Sequence, residues 1–168
     1  MATDVHDLTA HKPHDHAPCV DDALDRARLL CEQRGVRLTA LRQRVLALVW
    51  ASHRPQGAYA ILGAMADEGQ RVAPLTVYRA LDFLVANGLV HRVESLNAYV
   101  GCPEPGRPHS GQFLVCTRCG NAAELTDKRI NRAIAESAGA VGFEVQTQTV
   151  EVRGLCPGCQ AQPARAQA

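Results

Sequence analysis

The chain has 168 residues, a formal net charge of +1, 46% hydrophobic residues and 21% charged ones. That length suffices for one medium domain or two small ones with real cores, and the composition excludes a disordered middle. The longest apolar run, Val45 to Ala51, is far short of a membrane span. The opening MATDVHDLTAHKPHDHAPC places acids and histidines where a secretion signal needs a basic region and an apolar block. A cytoplasmic protein is expected, where thiols stay reduced and paired Cys more often bind metal than each other.

Residues 1–19 carry His6, His11, His14, His16 and Cys19 among Pro, Asp and Ala. This composition is expected of a disordered, His-rich tail, with weak metal pick-up and incidental histidines both open. A first helix is predicted from about Val20 to Gly35, with Asp21 and Asp22 at its positive end and Gly35 as its stop. Cys31 inside it reads as a small packed residue. From Arg26 to Arg54 there are seven Arg and a single acid, Glu32. A polyanion-facing surface and a merely solvated helix face both account for that excess.

Thr39 caps a second predicted helix, in which Leu41, Val45, Leu48 and Val49 follow helical spacing while Arg42 and Arg44 lie off that face. His53, Pro55 and Gly57 end it. A third helix, about Ala58 to Ala66, carries Tyr59, Ile61, Leu62 and Met65. Pro74 starts the fourth, bounded by Asn87-Gly88, with Val77, Leu81, Leu84 and Val85 as its expected buried stripe. Arg79 falls nearly opposite that stripe, flanked by Thr76 and Asp82, with Tyr78 at the margin. A long cation on the far side of a short amphipathic helix suits a recognition helix.

Two strand-like runs follow, Leu89 to Glu94 and Ala98 to Gly101, joined at Ser95-Leu96-Asn97. Helices and ribbon together read as a winged helix-turn-helix over 20–101, and this pattern with the Arg cluster points to DNA. Pro and Gly break CPEPGRPHSG, so 102–111 is predicted as a hinge. Beyond it the pattern turns β-rich, with strands at Gln112 to Cys116 and Phe143 to Arg153 and a helix at about Asp127 to Gly139. A second domain is expected over 112–160 and a frayed tail over 161–168.

The strongest local signal is the pair of Cys-x-x-Cys turns, Cys116-Thr-Arg-Cys119 and Cys156-Pro-Gly-Cys159. Four thiolates satisfy tetrahedral zinc with no open position, so the site reads as structural. Redox disulfides and packed thiols are the bland alternatives. A looser set, His91, Cys102, His109 and Glu124, has ligand types but spacings of 11, 7 and 15 residues, which match no compact motif.

RLTALRQRVL, TVYRALDFL, GLVHRVESLNAYVGC and the CTRCG and CPGC pairs, in that order, resemble the Fur family of metal-dependent transcriptional regulators, and its zinc-responsive members above all. The resemblance covers about residues 20–160. It implies an α+β protein with an N-terminal winged helix-turn-helix domain and a C-terminal α/β dimerisation domain. It further implies regulatory zinc on His91, Cys102, His109 and Glu124, hence two zinc ions per protomer, one structural and one regulatory. Tyr59 and Arg79 match residues that zinc-responsive relatives use on base edges, and Tyr78 lies in the family's DNA-contacting motif; Thr76, Arg37 and Arg42 complete the candidate DNA-binding set. The implied protein is no enzyme: a homodimeric repressor of zinc-uptake genes that binds double-stranded operator DNA, with no membrane partner and no small-molecule substrate other than zinc.

Two departures stand out. The His/Asp-rich cluster that iron- and peroxide-sensing relatives carry before the first Cys pair is replaced by PGRPHSGQFLVC, and Ala40 replaces a frequent Pro. A thiolate from Cys102 favours zinc over iron or manganese on ligand chemistry alone. A sensor of another metal or of peroxide, a zinc hydrolase using His91, His109 and Glu124, and a zinc-ribbon interaction module are the alternatives.

Overall fold

The protein is described by a computed structural model covering residues 4–6, 15–52, 54–107 and 111–161. It divides into two compact units, Pro13–Arg107 and Pro108–Ala168 together with Met1–Lys12. The break falls inside the segment predicted as a hinge.

A first strand, β1 (Asp4–His6), joins the sheet of the C-terminal unit. The expectation of a wholly unstructured 1–19 is corrected here, and again by α1 (Ala17–Gln33), which starts three residues before Val20. Pro18 sits in the first turn of α1, where its fixed φ is preorganised and its missing N–H costs nothing. Asp22 therefore lies a turn inside the helix and pairs with Arg26 rather than meeting the helix N-terminus. Gly35, at φ +64°, ends the segment as expected. His11 and His14 lie outside the described residues.

Three further helices build the first unit: α2 (Ala40–Trp50), α3 (Ala58–Asp67) and α4 (Pro74–Ala86). The Thr39 hydroxyl accepts the Arg42 backbone N–H at 3.4 Å, satisfying one of the donors a helix start leaves open. Val45, Leu46, Val49, Ile61, Met65, Val77, Leu81 and Leu84 close the core, with Ala27 and Cys31 from α1. Each large aliphatic buried here contributes about 1.5–3 kcal/mol. The α4 stripe differs from the predicted one: Ala80 is buried and Val85 is 38% exposed. Val85 is eight residues from Val77, about 80° around the helix, and so rotates off the contact line.

The wing is an antiparallel ribbon of β2 (Val90–Val93) and β3 (Ala98–Gly101), in register from Val90↔Gly101 to Val93↔Ala98. Asn97, at φ 45°, makes the left-handed turn a short polar side chain tolerates. Gln56 adds a third rung by exchanging both backbone hydrogen bonds with Tyr99, at 2.8 and 2.9 Å.

The second unit is a four-stranded sheet, β1-β5-β4-β6, made with β4 (Gly111–Cys116), β5 (Ala122–Thr126) and β6 (Thr149–Gly154). Between β5 and β6 runs α5 (Lys128–Gly139), whose Asp127 cap accepts the Arg129 N–H at 2.8 Å. A one-turn helix, α6 (Pro157–Gln160), closes the described chain. Sequence patterning missed β5 and α6 and made the last strand too long. Phe143 is 66% exposed and the strand starts only at Thr149. Gly142, at φ +74°, turns the chain out of α5, and β4 supplies ladder partners only from Thr149 onward.

Candidate metal centre and nucleic-acid interface

Parallel pairing of β4 with β6 sets Cys116 opposite Gly154, two residues before Cys156. The turn after β4 is held by Cys116 N–H to Asn121 O at 2.8 Å, and Gly120, at φ +75°, lets it close. Thr117 N–H then donates to Gly154 O at 2.8 Å, binding the first Cys-x-x-Cys turn to the end of the strand that leads into the second. Sulfur atoms of Cys116, Cys119, Cys156 and Cys159 all lie within 4.8 Å of one another, and all four are unbridged. Cys119 Sγ stands 3.9 Å from Cys156 Sγ. A tetrahedron with Zn–S of about 2.3 Å requires sulfurs about 3.8 Å apart, which the Cys119–Cys156 pair matches, and the cluster as a whole is close enough to take one zinc.

The electrostatics agree. Burial works against ionising Cys116, but N–H groups of Cys119, Cys156 and Arg118 converge on its sulfur and carry the thiol down to about 6. Cys156 N–H is 3.4 Å from that sulfur. Burial raises Cys119, and burial with three neighbouring sulfurs pushes Cys159 up to about 12. One thiolate is ready and two thiols resist, which is the state a dication relieves. Arg118, between the first two ligands, donates to the Cys159 carbonyl and spans both turns.

The second predicted set divides between the units. On the first, His91 is half-buried on β2 opposite Val100, and Cys102 is 2% exposed with its N–H donating to Leu89 O at 3.1 Å. The Arg26 guanidinium holds the next carbonyl, Pro103 O, at 2.6 Å. On the second, Glu124 is 6% exposed on β5, opposite Phe113. Carboxylates are almost never this buried unless paired or bound to metal. His109 lies outside the described residues.

In the second unit, neutral amides from β4, α5 and the segment before β6 meet one another. Gln112, 1% exposed, donates to Asp127 O at 3.1 Å and Asn131 Oδ1 at 2.6 Å, and Gln148 donates to the same oxygen at 2.9 Å. Nothing in the sequence pattern flagged this network, because single amides carry no periodic signal.

On the DNA-binding candidates, Arg79 is exposed on α4 and Tyr59 is 72% exposed on α3. Tyr59 meets Tyr78 edge to face, centroids 6.5 Å apart, joining the two helices through their outer aromatics. Thr76 is half-buried and Arg37 exposed. Arg42 is committed within the fold: its guanidinium stacks 3.5 Å above the Phe83 ring and donates to Arg37 O. Much of the Arg excess is likewise engaged locally, Arg26 with Asp22, Arg28 with Asp25, Arg44 with Glu68 and Arg34 with Asn87 O. Leu75, 59% exposed at the start of α4, is the residue the sequence reading passed over. Helical periodicity alone places it off the buried stripe.

Comparison with known proteins adds the following. The ferric uptake regulator family model matches residues 33–153. The zinc uptake regulation protein of Escherichia coli (strain K12) is 37% identical over 139 residues, 82% of this chain and 81% of that protein. The zinc uptake regulation protein of Mycobacterium tuberculosis (strain ATCC 25618 / H37Rv) is 29% identical over 130 residues, 76% of this chain and 97% of that protein. Among solved structures, holo XcZur is 43% identical, with a TM-score of 0.78 and coverage of 84% of this chain and 99% of that one. A zinc uptake regulator complexed with zinc and DNA is 36% identical, with a TM-score of 0.80, covering 84% and 95% respectively.

Proposed function

The chain belongs to the ferric uptake regulator family, and on that premise we propose that it is a zinc-responsive transcriptional regulator, a homodimer that binds operator DNA when its regulatory zinc is bound and represses zinc-uptake genes. The observation that carries this reading is the match over 84% of the chain to a zinc uptake regulator solved with zinc and DNA. The reading makes the protein a regulator rather than an enzyme.

Two zinc ions per protomer are assigned. Cys116, Cys119, Cys156 and Cys159 would hold the structural one, which supplies a closed four-thiolate cross-link between the ends of the C-terminal unit. His91, Cys102, His109 and Glu124 are assigned to the regulatory one, on whose binding DNA binding would depend. Buried Gln112 and half-buried Gln148 both donate to half-buried Asn131, which speaks against a third ion on that side of the sheet. The DNA-competent form must hold regulatory zinc more tightly than the other form, and the coupling is reciprocal.

Val141, Phe143, Val152 and Leu155 are exposed by 81, 66, 51 and 42%. Val141 and Phe143 follow α5, whereas Val152 on the outer strand β6 and Leu155 just after it line an apolar hollow of about 300 Å³ with Leu114 and Pro157. An uncovered edge strand with apolar neighbours needs a partner, and a second copy of the chain supplies it. Dimerisation sets two recognition helices for half-sites about one helical turn apart. No described helix is long and apolar enough to cross a membrane, and the proposed place of action is the cytoplasm, on DNA. Titrating zinc in a gel shift with operator DNA, with metal counted per protomer, tests the reading. Binding that appears only with zinc supports it, and zinc-independent binding overturns it.

A further inference from the structure

Beyond Arg79, the outer face of α4 carries a second side chain whose exposure nothing in the fold explains. Leu75 is 59% exposed, the larger exposure of the two large apolar side chains left open on that helix. It is the second residue of α4, directly after Pro74. Recognition helices present their N-terminal residues to base edges in the major groove. Four residues later stands Arg79, about 40° around the helix and about 6 Å along its axis. Val77, Ala80, Leu81 and Leu84 bury the opposite side.

A branched apolar group here gains nothing from water and has no phosphate chemistry. In the major groove only one base edge offers it a complement: the 5-methyl group of thymine. The axial offset from Arg79 corresponds to about two base steps of roughly 3.4 Å each. We propose that Leu75 is a specificity-determining residue that reads a thymine methyl, within two base pairs of the base that Arg79 would contact. This rests on the DNA-binding reading above and adds to it the identity of one base.

The test uses the zinc-loaded full-length protein and an operator duplex selected by it from a random library. Each thymine of both half-sites is replaced in turn by deoxyuridine, which keeps every hydrogen-bonding group and lacks only the methyl. The wild type should lose about fourfold in affinity per half-site at one thymine, the worth of one buried methyl. Leu75→Ala should lose about as much on the parent operator and become indifferent to deoxyuridine at that position alone. Leu75→Met should retain the discrimination, and Arg79→Ala should leave the thymine step intact. If Leu75→Ala still distinguishes thymine from deoxyuridine at every position, or if the wild type distinguishes them nowhere, the inference is wrong. If the wild type selects no duplex in the presence of zinc, the DNA-binding reading itself fails.

Discussion

Trp50 lies flat against Gly101. A Cβ placed on Gly101 would fall 2.1 Å from Trp50 Cε2 and 2.3 Å from its Nε1. The last residue of α2 is thus packed on the last residue of β3, where no larger residue fits, and Cys102 follows immediately. Gly101→Ala must displace the indole or the strand. An overpacked core costs about 1–3 kcal/mol, read as a lower melting temperature of the winged unit. Because the strand end also sets Cys102, the same variant should need more zinc for half-maximal DNA binding.

Cys102→Ser and Cys116→Ser should separate two kinds of site. Loss of Cys116 removes one of four thiolates whose sulfurs lie within 4.8 Å of one another. Zinc at such sites is folding free energy, so this variant should purify with less zinc and lose amide protection across β4–β6 in hydrogen exchange. Cys102→Ser should keep that protection and the dimer while losing zinc-dependent DNA binding. Identical behaviour of the two variants would remove the division.

Zinc uptake should release protons, with a sign the thiols dictate. Cys116, lowered to about 6, is already a thiolate at pH 7, whereas Cys119 and Cys159 are raised and still hold their protons. Loading the reduced apoprotein at pH 7 therefore expels the protons of Cys119 and Cys159, and affinity rises with pH. Below about pH 6 the Cys116 proton joins the competition, so affinity falls more steeply there. For the metal-free unit the same linkage holds: the Cys116 contribution is fully present above its unfolded value and is lost as pH falls through about 6. Calorimetry in buffers of different ionisation enthalpy measures the protons released.

Arg79 and Arg42 should fail differently. Arg79→Ala removes an exposed cation from the recognition face and should cost about 1–3 kcal/mol of operator binding with relaxed specificity at one base pair. Arg42→Ala strips the cover from Phe83 and the donor from Arg37 O. Its loss should appear as reduced thermal stability, with operator specificity unchanged.

Local signals carried much of the architecture. Thr39, Gly35, Pro74 and Gly88 mark helix ends because capping and backbone constraints act within a few residues, and the Cys-x-x-Cys turns announce their ligand geometry the same way. The four-thiolate cluster was therefore readable before its register was known. What failed were features set by partners distant in sequence. β5, AAELT, has no clean alternation and is a strand because β4 pairs with it. Phe143 belongs to no strand because its N–H is taken by Ala138 O, at 2.9 Å, in the turn that ends α5. The Arg excess in residues 26–54 overstated the basic surface, since Asp22, Asp25 and Glu68 lie outside that window and neutralise it in space.

The claim on which the account turns is that zinc and operator DNA bind the same form of the protein. The most direct test is the zinc affinity of the regulatory site to which Cys102 is assigned, measured with and without saturating operator DNA while the four-cysteine site stays loaded. The account predicts that DNA tightens zinc by the same factor by which zinc tightens DNA. Equal zinc affinity in the two conditions would contradict it.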